Sequence, residues 1–219
     1  EKAAVGFQNL LRQSAEAEKK REWSSNLAFC FFRTENYAAL PPLLEPLSPL
    51  NDQERLFLGA AYTHLGRFDD AIHVLTPSED PQLDSEISIE KGIAYFRWNK
   101  FYEAMSVFEA ISQDANGFSV ALIYRAKIAI ALEEFAKAQQ IIDAHMHHIQ
   151  PPLVYELYYL QGIAAARTHN YALAIDSFKR AVPSPKAPWA RDAYIQLGAA
   201  YLASAQDLSG SKEHREDLF

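Results

Sequence analysis

Apolar residues along the chain recur with helical spacing, and a longer period lies over them. Small residues stand at Ala28, Gly59, Gly92, Ala126, Gly162 and Gly198, in steps of 31 to 36 residues. Nine residues after each of the first five comes an aromatic: Tyr37, Phe68, Phe101, Phe135 and Tyr171. Three further on stand Leu40, Ala71, Ala104, Ala138 and Ala174, and four beyond those Leu44, Leu75, Phe108, Ile142 and Phe178. The last two sets are one helical turn apart and share a face. Phe31, Tyr62, Tyr95, Ala129, Ala165 and Tyr201 follow the small residue by three and lie on its stripe. Each unit therefore predicts a first helix (helix A), a tight turn and a second helix (helix B).

Small residues on both helices let two axes approach closely, and the aromatic after the turn fills the wedge between them. Gly66 is placed to end one helix A in a left-handed cap, with Asn99 and Asn170 in the same role in other units. Asp69 and Asp70 stand where the next helix starts and its dipole favours negative charge. Prolines punctuate the junctions at Pro77 and Pro81, Pro151 and Pro152, and Pro183, Pro185 and Pro188. Two units depart from the pattern. Pro41 and Pro42 fall about one turn into the first helix B, which should be short or displaced. The fourth unit has Arg125, Ala126 and Ala129 where others carry Leu, Gly and Tyr.

The runs Leu58-Gly59-x-x-Tyr62-x-x-x-Gly66-x-Phe68-x-x-Ala71 and Gly92-x-x-Tyr95 with Phe101-x-x-Ala104-x-x-x-Phe108 resemble tetratricopeptide repeats. The resemblance spans about residues 21 to 205 and implies an all-α fold, a right-handed superhelical α-solenoid of antiparallel helix hairpins whose A helices line a concave groove. Five units are expected at 21–51, 52–84, 85–118, 119–154 and 155–190. An N-terminal helix over 1–20 matches the second half of a repeat, with Ala3 and Phe7 four apart and Leu10 three beyond. Residues 191–208 form a further helix A, and Asp207 and Ser209-Gly210-Ser211 break the pattern ahead of a polar tail over 209–219. Both ends read either as caps or as edges of a longer array.

Composition narrows the function. Twenty-one basic against 28 acidic residues give a net charge of −7, so the average surface repels phosphate backbones. No nucleic acid partner is expected. No apolar run is long enough for a membrane span, so no membrane insertion is expected either. The single cysteine, Cys30, excludes an intramolecular disulfide and multi-thiolate zinc sites, and fits a reducing, cytoplasmic compartment without requiring one.

Catalytic and cofactor signatures are missing: no phosphate-cradling glycine loop, no His-Glu-x-x-His and no Gly-x-Ser-x-Gly. Neither catalysis nor a cofactor is expected. Glu133-Glu134 and Asp69-Asp70 are accounted for by helix starts. His145-Met146-His147-His148 offers two ligands three residues apart but no third, and histidines suit a helix C-terminus, so no metal is expected. Tyr155, Tyr158 and Tyr159 lack the basic channel that accompanies base stacking.

The resemblance implies that residues flanking each small position project into the groove. These are Phe29, Phe32, Arg33, Phe57, His64, Glu90, Ile93, Phe96, Arg97, Tyr124, Lys127, Tyr159, Ile163 and Arg167. Many are apolar or aromatic where a solvated face would be charged, which points to a bound helix or extended segment. Arg33, Arg97 and Arg167 share one repeat position, suited to partner carboxylates or to neighbouring acids. Relatives that clamp the acidic tail of heat-shock chaperones use Lys, Asn and Arg where this chain has Ser25, Phe29, Phe57, Glu86 and Glu90, so no such clamp is expected. The expected function is a scaffold or adaptor holding a protein or peptide, with self-association or a place in a larger assembly compatible. The alternatives are a secretion or assembly chaperone for one client and a regulatory segment of a larger enzyme-containing protein.

Overall fold

The computed structural model describes residues 2–13 and 16–216. Among these the secondary structure is entirely helical, with twelve α-helices and three short 3-10 turns. Two compact units divide the chain, Glu1–Phe118 and Ser119–Phe219. The boundary falls on one of the junctions that the repeat spacing marks.

Unit 1 holds α1 (Lys2–Gln13), α2 (Ala17–Arg33), α3 (Leu40–Leu44), α4 (Asp52–His64), α5 (Phe68–Val74), α6 (Pro81–Arg97) and α7 (Phe101–Glu109). Unit 2 holds α8 (Phe118–Ala131), which starts at the boundary, then α9 (Phe135–His145), α10 (Leu153–Arg167), α11 (Tyr171–Ala181) and α12 (Ala190–Glu216). Consecutive helices pack as pairs, α4 with α5 and α6 with α7 in unit 1, α10 with α11 in unit 2.

Close approach at the small residues holds each pair together. A Cβ added at Gly59 would lie 2.4 Å from Leu75, one at Gly92 2.5 Å from Phe108, and one at Gly162 2.6 Å from Phe178. In each case the partner is the large residue that closes the helix B signature. Leu75, Phe108 and Phe178 are fully buried, as are Leu44 and Ile142, their counterparts in the two units with alanine at the small position. Glycine is demanded here by space, because the facing side chain occupies the volume a methyl group would need.

One hydrogen-bond pattern makes all five turns. Arg67 N–H donates to the Tyr62 carbonyl (2.8 Å) and Gly66 N–H to that of Thr63 (3.3 Å), a Schellman motif with Gly66 at φ 77°. The same two bonds recur around Glu35, Asn99, Glu133 and His169, at φ 56°, 60°, 60° and 60°. Each of these five residues lies seven after its small residue, so helix length, not side-chain preference, sets the left-handed position. This corrects the reading of Asn170. Its φ is −86°, and it caps α11 by accepting from Leu173 N–H (3.2 Å), while His169 takes the left-handed conformation.

Pro41 and Pro42 have the expected effect. With two backbone donors missing, the first helix B shrinks to the five residues of α3, flanked by 3-10 turns at Tyr37–Ala39 and Glu45–Leu47. The chain end differs from expectation. A polar tail was expected over 209–219, but α12 continues through Glu216, with residues 217–219 outside the described part. A lone Gly210 costs a helix only about 1 kcal/mol, and the Lys, Glu and Arg that follow are good helix formers.

Candidate partner-binding surface

In unit 1 the expected groove residues of α2 and α4 form one aromatic cluster. Phe32 stacks on Phe57 at 4.5 Å between ring centroids, Phe29 leans on the same ring at 6.2 Å, and Tyr37 lies flat on His64 at 3.8 Å. Phe29 stays 48% exposed, whereas Phe57 is only 4% exposed. Phe57 therefore supports the face from beneath and does not present to a partner, because Phe29 and Phe32 of α2 cover it. Ile93 and Phe96 of α6 are half-buried, and Phe96 meets Phe101 at 5.7 Å.

A charged rim adjoins these rings. Burial raises the Glu90 carboxyl to about 7, against a smaller opposing pull from Arg97. Burial and then Arg97 lower His64, with Glu35 opposing; burial, then Glu35 and Glu90, raise Tyr37. Glu90, Arg97, His64, Tyr37 and Glu35 thus share one electrostatic neighbourhood. The sign of the Glu90 effect fixes a pH dependence. Between its ordinary 4.5 and about 7 the folded chain binds more protons than the unfolded one, so stability falls as pH rises through this window. Glu90→Gln is expected to stabilise the chain at pH 8 by about 1–3 kcal/mol, with no difference from the parent below pH ~4.5. Denaturant titrations at both pH values check this.

Unit 2 uses its corresponding residues differently. Lys127 pairs with Glu156 at 2.7 Å and lies 4.8 Å from the Tyr124 ring centroid. Tyr159 donates its hydroxyl hydrogen to Asp192 Oδ2 (2.6 Å) and stacks on Trp189 at 5.2 Å, tying α10 to α12. Burial, then Asp192, raises the Tyr159 phenol. Ile163 packs against the Phe178 cluster. Tyr124, Lys127, Tyr159 and Ile163 are all only partly exposed, and all four have partners within the unit.

Arg33, Arg97 and Arg167 end α2, α6 and α10, and all three are exposed. None makes an ion pair or a side-chain hydrogen bond among the described residues. Other surface arginines pair: Arg67 bonds Asp70 (2.7 Å) and Glu45 (3.3 Å), and Arg180 bonds Asp176 (2.9 Å).

The largest polar network was not legible in the repeat pattern. Glu54, buried at the start of α4, closes a capping box with Asn51, its carboxylate accepting from Asn51 N–H and Asn51 Oδ1 accepting from Glu54 N–H, each at 2.9 Å. The same carboxylate accepts from Ser25 Oγ (2.5 Å) and Arg21 Nη2 (3.2 Å) on α2. Arg21 also donates to the carbonyls of Leu47 and Pro49. The Asn-x-x-Glu spacing at 51–54 is the signal that could have found it. In unit 2, buried Gln161 links Asp143 (2.7 Å) and Ser177 (2.9 Å).

The histidine run splits across a helix end. His145 closes α9, Met146 is buried, and burial, then Arg125 and His148, lower His145. Among the described residues no three His, Cys, Asp or Glu side chains converge as a metal site. No described helix is long and apolar enough to cross a membrane. No protein-family model matches the chain, and no curated protein matches it.

Proposed function

We propose that the chain is an α-solenoid of tetratricopeptide type that binds a protein or peptide segment along the exposed side of its A helices. The observation that carries this reading is the set of three exposed arginines at one repeat position, each without a bonded acid among the described residues. Long cationic side chains near acids usually pair with them, as Arg67 and Arg180 do here. Guanidinium groups left open beside half-exposed rings suit a ligand that brings carboxylates, held by bidentate bonds, and apolar side chains, held on Phe29 and Phe32. The five identical turns and the repeated glycine contacts support the solenoid reading, since each helix pair buries its seam only against a neighbour.

Selection of peptides from a displayed library on the immobilised chain tests the function. Enriched sequences should combine Asp or Glu with aromatic or aliphatic residues. The Arg33→Gln, Arg97→Gln, Arg167→Gln triple variant should weaken the selected peptides at least about tenfold, roughly one charged hydrogen bond, with the melting temperature unchanged. Equal affinity in the triple variant, or enrichment of basic peptides, would overturn the reading.

A further inference from the structure

We propose that Glu90 makes the binding of acidic segments in unit 1 depend on pH: uncharged, it leaves the Arg97 guanidinium to a partner carboxylate, and ionised, it repels that carboxylate. Such regulation rests on the peptide-binding reading above, since it acts on the same surface. Glu90 stands two residues before Gly92, at the position where other repeats carry Phe57, Tyr124 and Leu160. Phe57 and Leu160 are both buried there. An acid thus occupies a place that its counterparts fill with a ring or a leucine.

Two helical positions turn Glu90 roughly 200° away from Gly92, which faces Phe108 of α7. The carboxyl therefore lies away from α7, and α6 also packs on α4. Its charge reaches Tyr37, which lies flat on His64 at the end of α4. Glu90 is half-buried and makes no hydrogen bond or ion pair among the described residues. Among these residues Arg97, two turns further along α6, is the one charge that acts on it. Asp69, Asp70 and His73 of α5, Glu103 and Glu109 of α7, and Asp114 of the loop after α7 do not. Glu35 completes the neighbourhood, acting on both Tyr37 and His64.

Desolvation without a bonded donor holds the Glu90 carboxyl up at about 7. Glu35 and Arg97 oppose one another in this neighbourhood, so the charge on Glu90 decides its sign. Below about 7 the acid is uncharged: it can donate its O–H, and Arg97 is left for an incoming Asp or Glu. Above it, the Glu90 carboxylate draws on Arg97 and repels the partner's. The other groups do not titrate with it. Exposed partner carboxylates, with ordinary values near ~4, stay ionised across this window. The Tyr37 phenol is raised above its ordinary 10.0, and His64 is lowered below 6.5. With binding confined to the uncharged acid, the competent fraction falls from about nine tenths at pH 6 to about one tenth at pH 8, so affinity falls about tenfold.

Fluorescence anisotropy on the full chain tests this, with labelled peptides from library selections run at pH 6 and at pH 8 at one ionic strength. Acidic peptides that lose affinity in Arg97→Gln are the probes. They should bind the parent about tenfold more weakly at pH 8 than at pH 6. Glu90→Gln, which keeps a donor and cannot ionise, should bind them equally at both pH values and match the parent's affinity at pH 6. His64→Gln should keep the fall, whatever it does to the affinity itself, which separates Glu90 from the histidine. Calorimetry in buffers of different ionisation enthalpy gives a reading that needs no variant: the parent should take up protons on binding at pH 7. Equal affinity at both pH values, a fall that persists in Glu90→Gln, or acidic peptides indifferent to Arg97→Gln overturn the regulation and leave peptide binding in place. Selections that return no acidic peptide overturn both.

Discussion

Replacing Phe108 with alanine is expected to destabilise unit 1 by about 3–5 kcal/mol, and Phe178→Ala to destabilise unit 2 by a similar amount. Both rings are fully buried, and each presses on a glycine of the facing helix, at Gly92 and Gly162. Truncation removes the transfer energy of the ring and leaves a void that glycine cannot fill, having no side chain to move into it. The small residues that share the Phe178 cluster, Ala165 and Ala174, are equally unable to expand. Lys100→Ala supplies the contrast: its ammonium lies 3.6 Å from the Trp98 ring centroid at the surface, a contact worth about 0.5–1 kcal/mol. Urea titrations followed by circular dichroism would measure all three. Comparable small losses would mean that the shared register of the pairs is not what holds them.

Glu54→Ala should cost about 3–5 kcal/mol, as much as a core aromatic, although the residue removed is an acid. The carboxylate accepts from three donors: Asn51 N–H within the capping box, Ser25 Oγ–H and the Arg21 guanidinium. Removing it takes the acceptor from Arg21, Ser25 and Asn51 N–H in one step, leaving only the Asn51 Oδ1 half of the capping box. Glu54→Gln keeps the acceptor shape and still suits a capping box, but loses the charge opposite Arg21, so a loss of about 1–2 kcal/mol is expected. The diagnostic result is the order of the two variants in denaturant midpoint. An alanine variant no worse than the glutamine variant would show that the network contributes little to holding α2 on α4.

The candidate surface was partly legible. Repeat spacing placed Arg33, Arg97 and Arg167 at equivalent helix ends, and all three are exposed in the structure. Spacing could not separate Phe29 from Phe57, one exposed and the other covered, because both lie on the same side of their helices and differ only in what the adjoining helix lays over them. Nor could it show that Lys127 and Tyr159 are engaged by Glu156 and Asp192, since those acids stand 29 and 33 residues away in the chain.

The sequence by itself determined that the chain is helical, that α4 pairs with α5, α6 with α7 and α10 with α11, and where their glycine seats lie, because these follow from local periodicity and from side-chain volumes that repeat at fixed offsets. It also determined that α3 would be short, since two prolines remove donors wherever they stand. Only the tertiary structure decided that Glu35, Glu133 and His169 take the left-handed turn position in place of a glycine or Asn170, and that Glu54 locks α2 to α4. The turn positions follow from where each helix A ends, and the Glu54 network from which surfaces meet across the chain; composition at a single position carries no record of either.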